Sequence, residues 1–310
     1  MLSVIFPPQI ICLLTSIALI ATTLGAFLLQ SPAALLKLIP YRPLQRACSH
    51  YCIWIATNWV RNNRLIFRLL HTVQWDVDIR SQIDPNKSYL LIANHQSWAD
   101  IVLLFDLFHG RVPFPRFFLK WELIYVPAIG IGCWAMDFPF MRRHSKSAIK
   151  ANPELRNQDL ETTRRACELY RDEPVTVINF LEGTRFSEEK RQRGQSPYRH
   201  LLRPKAGGMS FALNAMGDQF AGIIDVTIGY QPTNKAKLWS FAGGEQDQLQ
   251  VFIDVLPIPA DMIAGDYETD PEFRKRFQTW INGIWARKDA RLERMQSQRP
   301  AIRAQRPAHG

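Results

Sequence analysis

The amino-terminal stretch is the most apolar part of the chain. No charged side chain precedes Lys37, and apolar residues run almost without interruption from Ile10 to Leu29. An α-helix needs about 20 predominantly apolar residues to cross a bilayer, so this stretch predicts a membrane anchor. A cleaved signal peptide is the alternative, but its usual positive amino-terminal region and small-residue cleavage site are not evident. Because Lys37, Arg42 and Arg46 follow the stretch, the positive-inside tendency predicts that the remaining chain is cytoplasmic.

Residues 43 to 72 have a different pattern, in which apolar and aromatic side chains are interleaved with arginines. The apolar part of this segment, Cys52 to Val60, is short for a second bilayer crossing. Trp54, Trp59 and Arg61 suit a helix lying in the membrane interface. An ordinary amphipathic helix packed on a folded domain would show the same pattern, and both interpretations stay open. The sequence thus predicts an amino-terminal membrane helix or helical hairpin over residues 1–72.

The remaining chain alternates between short apolar runs and longer periodic segments, which is the pattern of an α/β domain over residues 73–288. The predicted strands are Val77 to Ile79, Tyr89 to Ala93, Phe114 to Leu119, Val175 to Phe180, Ile223 to Tyr230 and Leu249 to Val255. The predicted helices are Gln158 to Arg171, Met209 to Met216 and a final stripe from Phe273 to Trp285. Residues 289–310 are rich in Arg, Gln and Pro and predict a basic, disordered tail.

Composition limits the partners. The chain has 310 residues, 47% of them hydrophobic, and a formal net charge of +10. Such a balance suits an anionic membrane face or a phosphorylated small molecule. No nucleic-acid recognition motif is found, so the sequence predicts no nucleic-acid partner. The five cysteines show neither a C-x-x-C pair nor a zinc spacing, so no metal site is predicted and a reducing compartment fits best.

A polar heptapeptide, Asn94-His95-Gln96-Ser97-Trp98-Ala99-Asp100, lies between two apolar runs. Ser97 and Asp100 have the spacing of a helix capping box, which leaves His95 as a loop residue. Alternatively, Asp100 orients the imidazole of His95 so that it accepts a proton from a hydroxyl group. Five residues along a helix rotate by roughly 140°, so this pair requires His95 in the loop and Asp100 in the first helical turn. A helix starting at Ser97 meets this requirement, so the two interpretations are compatible.

A second polar group, Glu182-Gly183-Thr184-Arg185, follows the strand that ends at Phe180. Gly183 permits a tight turn there, and a plain β-turn with a surface ion pair is the alternative. The apolar segment Leu123 to Met136 is broken by Pro127 and two glycines, so it predicts the lining of an apolar channel, a segment that dips into one membrane leaflet, or a buried core segment. Residues 188–205 predict a basic loop that is either simply solvated or contacts phosphate.

The order of these motifs resembles the glycerolipid acyltransferases, the 1-acylglycerol-3-phosphate acyltransferase family. The resemblance rests on four blocks in order: Asn94-His95-x4-Asp100, Phe140-x-x-Arg143, Glu182-Gly183-Thr184-Arg185 and the strand Asp225 to Ile228. One block alone is weak evidence, but four in order after an apolar amino terminus are specific. The whole chain looks close to a bacterial inner-membrane member of the family.

The resemblance implies a glycerolipid-acyltransferase-like αβ sandwich and transfer of an acyl group from acyl-CoA or acyl-carrier protein to a lysophospholipid hydroxyl. It implies that His95 is the general base and Asp100 its partner. The implied acceptor-phosphate site is Arg143, Glu182, Gly183, Thr184 and Arg185. No cofactor beyond the acyl donor is implied, and 1-acylglycerol-3-phosphate is the expected acceptor, giving phosphatidic acid. The implied location is the bacterial inner membrane, with the catalytic domain on its cytoplasmic side.

One departure leaves the acceptor head group and acyl length open. Many bacterial members carry a Pro-containing apolar run in the fourth block, whereas this chain has Ile224-Asp225-Val226-Thr227-Ile228, which is nearer the branch that includes eukaryotic-type enzymes. Two other classes of function compete. The first is a non-catalytic membrane protein that binds anionic lipid, and the second is a lipid hydrolase, which the lack of a G-x-S-x-G motif disfavours.

Overall fold

The computed structural model describes residues 2–126, 128–141, 154, 170, 173–230, 242–243, 248–267 and 269–297. Within these residues, the main sheet has six strands in the order β1-β8-β7-β2-β6-β3. Its strands are β1 (Gln74–Ile79), β2 (Ser88–Ala93), β3 (Pro115–Phe117), β6 (Thr176–Asn179), β7 (Phe220–Gly229) and β8 (Gln248–Leu256). A small second sheet pairs β4 (Leu119–Lys120) with β5 (Phe140–Met141).

The helices of the α/β domain are α3 (Ala99–Phe108), α4 (Ile129–Ala135), α5 (Glu188–Arg193), α6 (Gly207–Met216) and α7 (Pro271–Ser297). Short 3-10 turns lie at Leu2–Val4, Trp121–Tyr125 and Ala260–Met262. Strand β2 pairs in parallel with both β6 and β7, whereas β7 and β8 are antiparallel. The predicted α/β class is confirmed.

Strand β2 lies inside the sheet and is buried on both faces, which explains its unbroken apolar sequence. Successive side chains of a strand point to opposite faces. Accordingly, Leu90 and Ile92 join one core cluster with residues of α6 and α7. Leu91 and Ala93 join a second cluster with residues of α3. Helices therefore cover both faces of the sheet, which is the αβ sandwich that the family resemblance implies.

Two long helices precede the sheet. Helix α1 spans Pro8–Leu36 and α2 spans Arg42–Leu70. Among the described helices, α1 is long and apolar enough to cross a membrane, with a mean hydropathy of 2.3 over its most apolar 18 residues. Large apolar side chains along α1 are exposed, including Leu13, Ile17 and Leu28. Helix α2 ends at Leu70, and β1 begins at Gln74.

Polar contacts fasten α1 to its neighbours along much of its length. Thr15 Oγ1 lies 2.9 Å from His71 Nε2, and Thr22 donates to Asn63 Oδ1 over 2.9 Å. Near the other end of the helix pair, Lys37 Nζ forms a 2.5 Å ion pair with Asp137. Helix α2 also packs on the domain, since Val60 belongs to the same cluster as Phe105 and Phe138. These contacts favour the predicted helical hairpin and show that α2 is packed on the domain.

Two predicted boundaries change. Helix α7 runs to Ser297, beyond the predicted start of the tail at residue 289, because Leu292 continues its buried face. The predicted basic loop 188–205 contains helix α5, whose first turn is capped by Ser187 accepting from the Lys190 N–H. The predicted helix from Gln158 to Arg171 lies, apart from Tyr170, outside the described residues.

A buried ion cluster attaches α7 to the sheet. Lys288 is fully buried, and its ammonium group lies 2.5 Å from Asp225 Oδ1. Arg291 Nη1 lies 3.2 Å from the other oxygen of Asp225 and donates to Thr227 Oγ1 over 3.0 Å. Removing one partner of a buried ion pair leaves an uncompensated charge, which typically costs about 3–5 kcal/mol. The strand Asp225 to Ile228 of the fourth sequence block therefore anchors the last helix.

We predict that Lys288→Met lowers the free energy of unfolding by about 3 kcal/mol, because Asp225 loses a buried counter-ion. Urea unfolding followed by circular dichroism measures the change. Lys275→Met is the matched control, since Lys275 lies on the exposed face of the same helix and should change stability by less than about 0.5 kcal/mol. Equal unfolding midpoints for the two variants would contradict this role of Lys288.

Candidate active site

The site lies where two neighbouring parallel strands end. Strand β2 leads into Asn94 and His95, and β6 leads into the turn that holds Glu182 and Gly183. Because β2 and β6 pair in parallel, their carboxyl ends meet at the same edge of the sheet. The Phe186 N–H donates to the His95 carbonyl oxygen over 2.7 Å, which joins the two loops directly. The structure thus brings the first and third sequence blocks together.

Asn94 fixes the loop that carries His95. Its side chain is fully buried and pairs with the backbone of Ile228 in both directions: Asn94 Nδ2 donates over 2.9 Å, and the Ile228 N–H donates to Asn94 Oδ1 over 2.8 Å. These two hydrogen bonds extend the β2–β7 pairing past the end of β2, with the Asn94 side chain in place of backbone groups. Sequence reasoning gave Asn94 no separate role, because the pairing of β2 with β7 is not visible in the sequence.

His95 and Asp100 form a hydrogen-bonded pair. His95 Nδ1 lies 2.8 Å from Asp100 Oδ2, the carboxylate is fully buried and the imidazole is 13% exposed. A carboxylate accepts, so Nδ1 carries the proton and Nε2 is left as the basic nitrogen. His95 lies in the loop and Asp100 in the first turn of α3, which is the arrangement that the spacing requires.

The start of α3 differs slightly from the predicted capping box. The helix begins at Ala99, one residue after Trp98, whose backbone is already helical. Asp100 Oδ2 accepts from the Ser97 N–H over 2.8 Å, as the acidic residue of a capping box does. Ser97 Oγ, however, accepts from the Ala99 N–H over 3.2 Å instead of from Asp100. One carboxylate therefore serves both the helix start and the imidazole.

The imidazole ring is held by an aromatic stack that sequence reasoning missed. His95 stacks on Phe180 at 4.1 Å between ring centroids with an interplanar angle of 18°. Phe180 stacks in turn on Phe117 at 5.9 Å and 16°. The signal in the sequence was weak, because Phe180 reads as the last residue of an apolar strand. The stack continues towards Phe105 and Phe138 of the cluster that α2 joins.

Glu182 is placed differently from its predicted role. Its side chain is 1% exposed, and its oxygens accept from the His95 N–H over 2.9 Å and from the Leu202 N–H over 3.0 Å. Burial raises the pKa of Glu182 to about 7, although the two N–H donors lower it. Both oxygens accept from backbone N–H groups, which differs from the predicted contact of Glu182 with an acceptor phosphate. Glu182 fixes the loop of His95.

Gly183 has a backbone φ of +65°, which favours glycine. A Cβ atom at this position would also lie 3.2 Å from the ammonium nitrogen of Lys205. The turn and Lys205 are therefore packed directly against each other, and the Lys205 N–H donates to the Leu181 carbonyl over 2.7 Å. Lys205 is an exposed cation beside the turn, a position that the prediction of a phosphate-contacting loop allows.

Arg185 lies at the mouth of the site. Its guanidinium group is 5.1 Å from the ring centroid of Trp98, which is 54% exposed at the start of α3. Thr184 Oγ1 accepts from Lys190 Nζ over 2.9 Å, so Thr184 contacts the ammonium group of Lys190. Arg143 lies outside the described residues. Of the five predicted phosphate-site residues, Gly183 and Arg185 are therefore exposed and Thr184 is half-buried.

Four backbone N–H groups near the dyad already have partners within the protein. The N–H groups of Gln96 and Ser97 donate to Asp100, that of His95 donates to Glu182, and that of Gly183 donates to Phe180.

Within the part of the chain that the structure describes, no group of three or more His, Cys, Asp and Glu side chains could hold a metal ion. A cavity of about 420 Å³ lies elsewhere, between β1, β8 and α7, and no predicted site residue lines it.

Comparison with known proteins gives consistent relatives. Residues 74–231 match the family model described as Acyltransferase. An uncharacterized acyltransferase of Saccharomyces cerevisiae is 28% identical over 234 residues, which cover 66% of this chain and 58% of that protein. The 2-acyl-1-lysophosphatidylinositol acyltransferase of the same yeast is 25% identical, with coverages of 66% and 61%. The human 1-acyl-sn-glycerol-3-phosphate acyltransferase gamma is 22% identical, with coverages of 66% and 52%.

The fold has a counterpart among solved structures. The crystal structure of the 1-acyl-sn-glycerophosphate acyltransferase PlsC from Thermotoga maritima aligns with a TM-score of 0.51 and 16% sequence identity. The alignment covers 92% of this chain and 97% of that one. The curated relatives are longer, since the matched part spans only 52% to 61% of their length. The family model covers half of this chain, including both loops of the site, and the chain belongs to the acyltransferase family.

Proposed function

We propose that this protein transfers an acyl group from acyl-CoA or acyl-carrier protein to the free hydroxyl of a lysophospholipid. One observation carries the proposal: Asp100 holds Nδ1 of His95 at 2.8 Å and leaves Nε2 as a base, in a loop that Phe186 joins to the Arg185 turn. The acceptor that we propose is 1-acylglycerol-3-phosphate, giving phosphatidic acid. The names of the relatives support lysophospholipid acceptors as a class but differ in the head group.

In this mechanism, Nε2 of His95 removes the proton of the acceptor hydroxyl as its oxygen attacks the thioester carbonyl carbon. The carbon–sulfur bond of the resulting tetrahedral intermediate then breaks, and the thiolate leaves with the proton returned by His95. Asp100 keeps Nδ1 protonated and stabilises the imidazolium that forms between the two steps. The nucleophile belongs to the substrate, so no acyl-enzyme is formed.

The acceptor phosphate is proposed to bind at the turn after β6. The guanidinium group of Arg185 lies over the indole ring of Trp98, and its N–H donors are proposed to meet phosphate oxygens. Lys205 adds a second cation within reach of the same turn. Arg143 is proposed as a further phosphate ligand on the strength of the sequence resemblance. Thr184 supports the turn through Lys190.

The acyl chain is proposed to lie against the apolar segment that follows β4. Leu123 to Met136 forms a 3-10 turn and helix α4, and Met136 and Cys133 pack on the cluster that the aromatic stack of His95 reaches. Tyr125 and Ile129 expose 76% and 57% of their surfaces. An apolar wall that starts behind the imidazole suits a fatty chain attached to the reacting carbonyl.

We place the protein at the bacterial inner membrane with its catalytic domain on the cytoplasmic side. The apolar surface of α1 supports attachment to a membrane, and the cations Lys37, Arg42 and Arg46 after it support the cytoplasmic orientation. The bacterial assignment rests on the sequence resemblance. From this location we propose that the site takes its acceptor from the membrane and its acyl donor from the cytoplasm.

We predict that His95→Ala lowers the rate of acyl transfer by about 10²- to 10⁴-fold, because general-base catalysis is lost. Purified protein is incubated with labelled acyl-CoA and a panel of lysophospholipids, and the products are identified. His109→Ala, at the far end of α3, is the control and should retain activity. Undiminished transfer by His95→Ala would exclude the dyad. Lipid binding without turnover by the wild type would favour a non-catalytic lipid-binding protein, and free fatty acid released without an acceptor would indicate a hydrolase.

We predict that Arg185→Ala raises the KM for 1-acylglycerol-3-phosphate by about 10- to 100-fold, as expected for losing a hydrogen bond to a charged group. The KM for acyl-CoA should change little, because the donor carbonyl lies at His95. Initial rates with each substrate varied in turn measure both constants. Arg193→Ala, an exposed residue of α5, is the matched control. An equal rise in both KM values for Arg185→Ala would refute a specific role in acceptor binding.

We predict that Glu182 makes the fold less stable as pH rises from about 4.5 to about 7. Its pKa is raised in the folded protein, so folding favours the protonated form, and this contribution is present below the unfolded pKa and lost as pH passes the folded one. Glu182→Gln should therefore reduce the decline in stability over this range by about 1–3 kcal/mol. Urea unfolding at pH 5 and pH 7.5 measures it. The exposed control Glu189→Gln should leave the pH dependence unchanged, and a matching result for both variants would contradict the prediction.

A further inference from the structure

Tyr230 is a buried residue directly after β7, and the mechanism above does not use its hydroxyl group. Its surface is 5% exposed, and its hydroxyl donates to Oδ1 of Asp100. This oxygen is the one that does not contact His95, whose Nδ1 lies against Oδ2. Burial and the Asp100 carboxylate raise the pKa of Tyr230 well above its ordinary value. The hydroxyl therefore stays protonated and acts as a donor.

The two oxygens of Asp100 have unequal surroundings. Oδ2 accepts from Nδ1 of His95 over 2.8 Å and from the N–H groups of Gln96 and Ser97 over 2.6 and 2.8 Å. The partner that the structure gives Oδ1 among the described residues is Tyr230. A fully buried carboxylate needs donors on both oxygens, because an unsatisfied charged oxygen keeps its full desolvation cost. Tyr230 supplies the donor for Oδ1, since the backbone N–H groups at the helix start donate to Oδ2.

A donor on Oδ1 affects the imidazole as well as the carboxylate. Hydrogen bonding stabilises the charge of Asp100 and lowers its basicity, so the carboxylate holds the imidazolium form of His95 less strongly. His95 must return its proton to the leaving thiolate, and an imidazolium that is too stable is a weak acid. The stabilisation of the imidazolium by Asp100 must therefore be limited. The same bond fixes the direction of Oδ2 and hence the plane of the His95 ring.

We propose that Tyr230 is a positioning residue for acyl transfer, which orients Asp100 and limits how strongly that carboxylate retains the proton on His95. The inference rests on the proposed function of His95 as a general base. It adds a third side chain, supplied by the strand on the other side of β2, to a dyad that sequence motifs place in one loop and one helix.

Several charged groups near the dyad could also affect the titration of His95, so a test of Tyr230 must leave them unchanged. Glu182 faces it from the loop after β6, accepts from the His95 N–H and senses the charge of Asp100. The charge of Lys288 in α7 lowers the pKa of Glu182. Arg185 lies at the exposed mouth with its guanidinium group over Trp98. Tyr230→Phe leaves all of these groups in place and removes only the hydroxyl on Oδ1.

The experiment compares wild type, Tyr230→Phe and Tyr89→Phe as full-length protein in detergent micelles. Tyr89 is a buried tyrosine of β2 whose hydroxyl accepts from the Asp84 N–H over 3.0 Å, away from the dyad. Both variants lose a buried hydroxyl, so a purely structural effect should be similar for the two. The readouts are kcat, the acceptor KM, the pH profile of kcat/KM and the NMR titration of the His95 ring, assigned with His95→Ala.

For Tyr230→Phe we expect kcat to fall by about tenfold, as for one lost hydrogen bond to a charged group, with the acceptor KM unchanged. The titration midpoint of His95 and the acid limb of kcat/KM should both move to higher pH, by roughly half a unit or more. Tyr89→Phe should leave kcat and both titrations unchanged. Circular dichroism and gel filtration establish that each variant is folded.

A second substitution guards against a Tyr230→Phe protein that does not fold. Site-specific 3-fluorotyrosine at position 230 makes the hydroxyl a stronger donor without changing the shape of the ring appreciably. It should move the titration of His95 in the opposite direction, to lower pH.

Unchanged His95 titrations in both position-230 variants, or equal effects of Tyr230→Phe and Tyr89→Phe, would overturn the role of Tyr230. A wild-type protein that acylates no lysophospholipid would instead overturn the proposed function. In that case the titration of His95 still decides whether Tyr230 governs the dyad, so the two failures are distinguishable.

Discussion

The buried carboxylate of Asp100 is the group on which the rest of the site depends. A charge that is fully removed from water must be met by donors on every side, and here two parts of the chain supply the donors and a third supplies the carboxylate. The loop after β2 supplies the imidazole and two N–H groups, the first turn of α3 supplies the carboxylate itself, and the end of β7 supplies Tyr230. The site therefore forms only when β2 and β7 are paired and α3 has started.

The sheet explains how motifs far apart in sequence become one site. Strand β2 lies between β6 and β7, so the loops after β2 and β6 emerge side by side, and Asn94 fastens the first of them to β7. Glu182 then ties three loops together by accepting from His95 and from Leu202. In the same turn, Arg185 is exposed and Thr184 is half-buried, and both are free of this tying role. Within this short motif, Glu182 holds the loops together, and Arg185 is proposed to bind substrate.

Local patterns were enough to predict the six strands of the main sheet and a helix after the His95 loop, although α3 begins at Ala99 instead of Ser97. They also allowed the pairing of His95 with Asp100. These features depend on hydrophobic periodicity and on a spacing of five residues, both of which are written within a few residues. The burial of Glu182 and the contact of Tyr230 with Asp100 depend on strand order, which no local pattern encodes. The extent of α7 was missed for a related reason: Leu292 sits in a stretch of charged residues whose buried side appears only against the sheet. Composition alone therefore assigned it to a tail.

The stacking of His95 on Phe180 has a directional consequence. Nε2 of an imidazole accepts a proton along a line within the plane of the ring, and that plane lies at 18° to the ring of Phe180. Since Phe180 is itself stacked on Phe117, the orientation of this plane is inherited from the aromatic core of the domain. A hydroxyl group is thus selected by its angle of approach as well as by its distance, and one that reaches the site from above or below the ring meets carbon instead of a base.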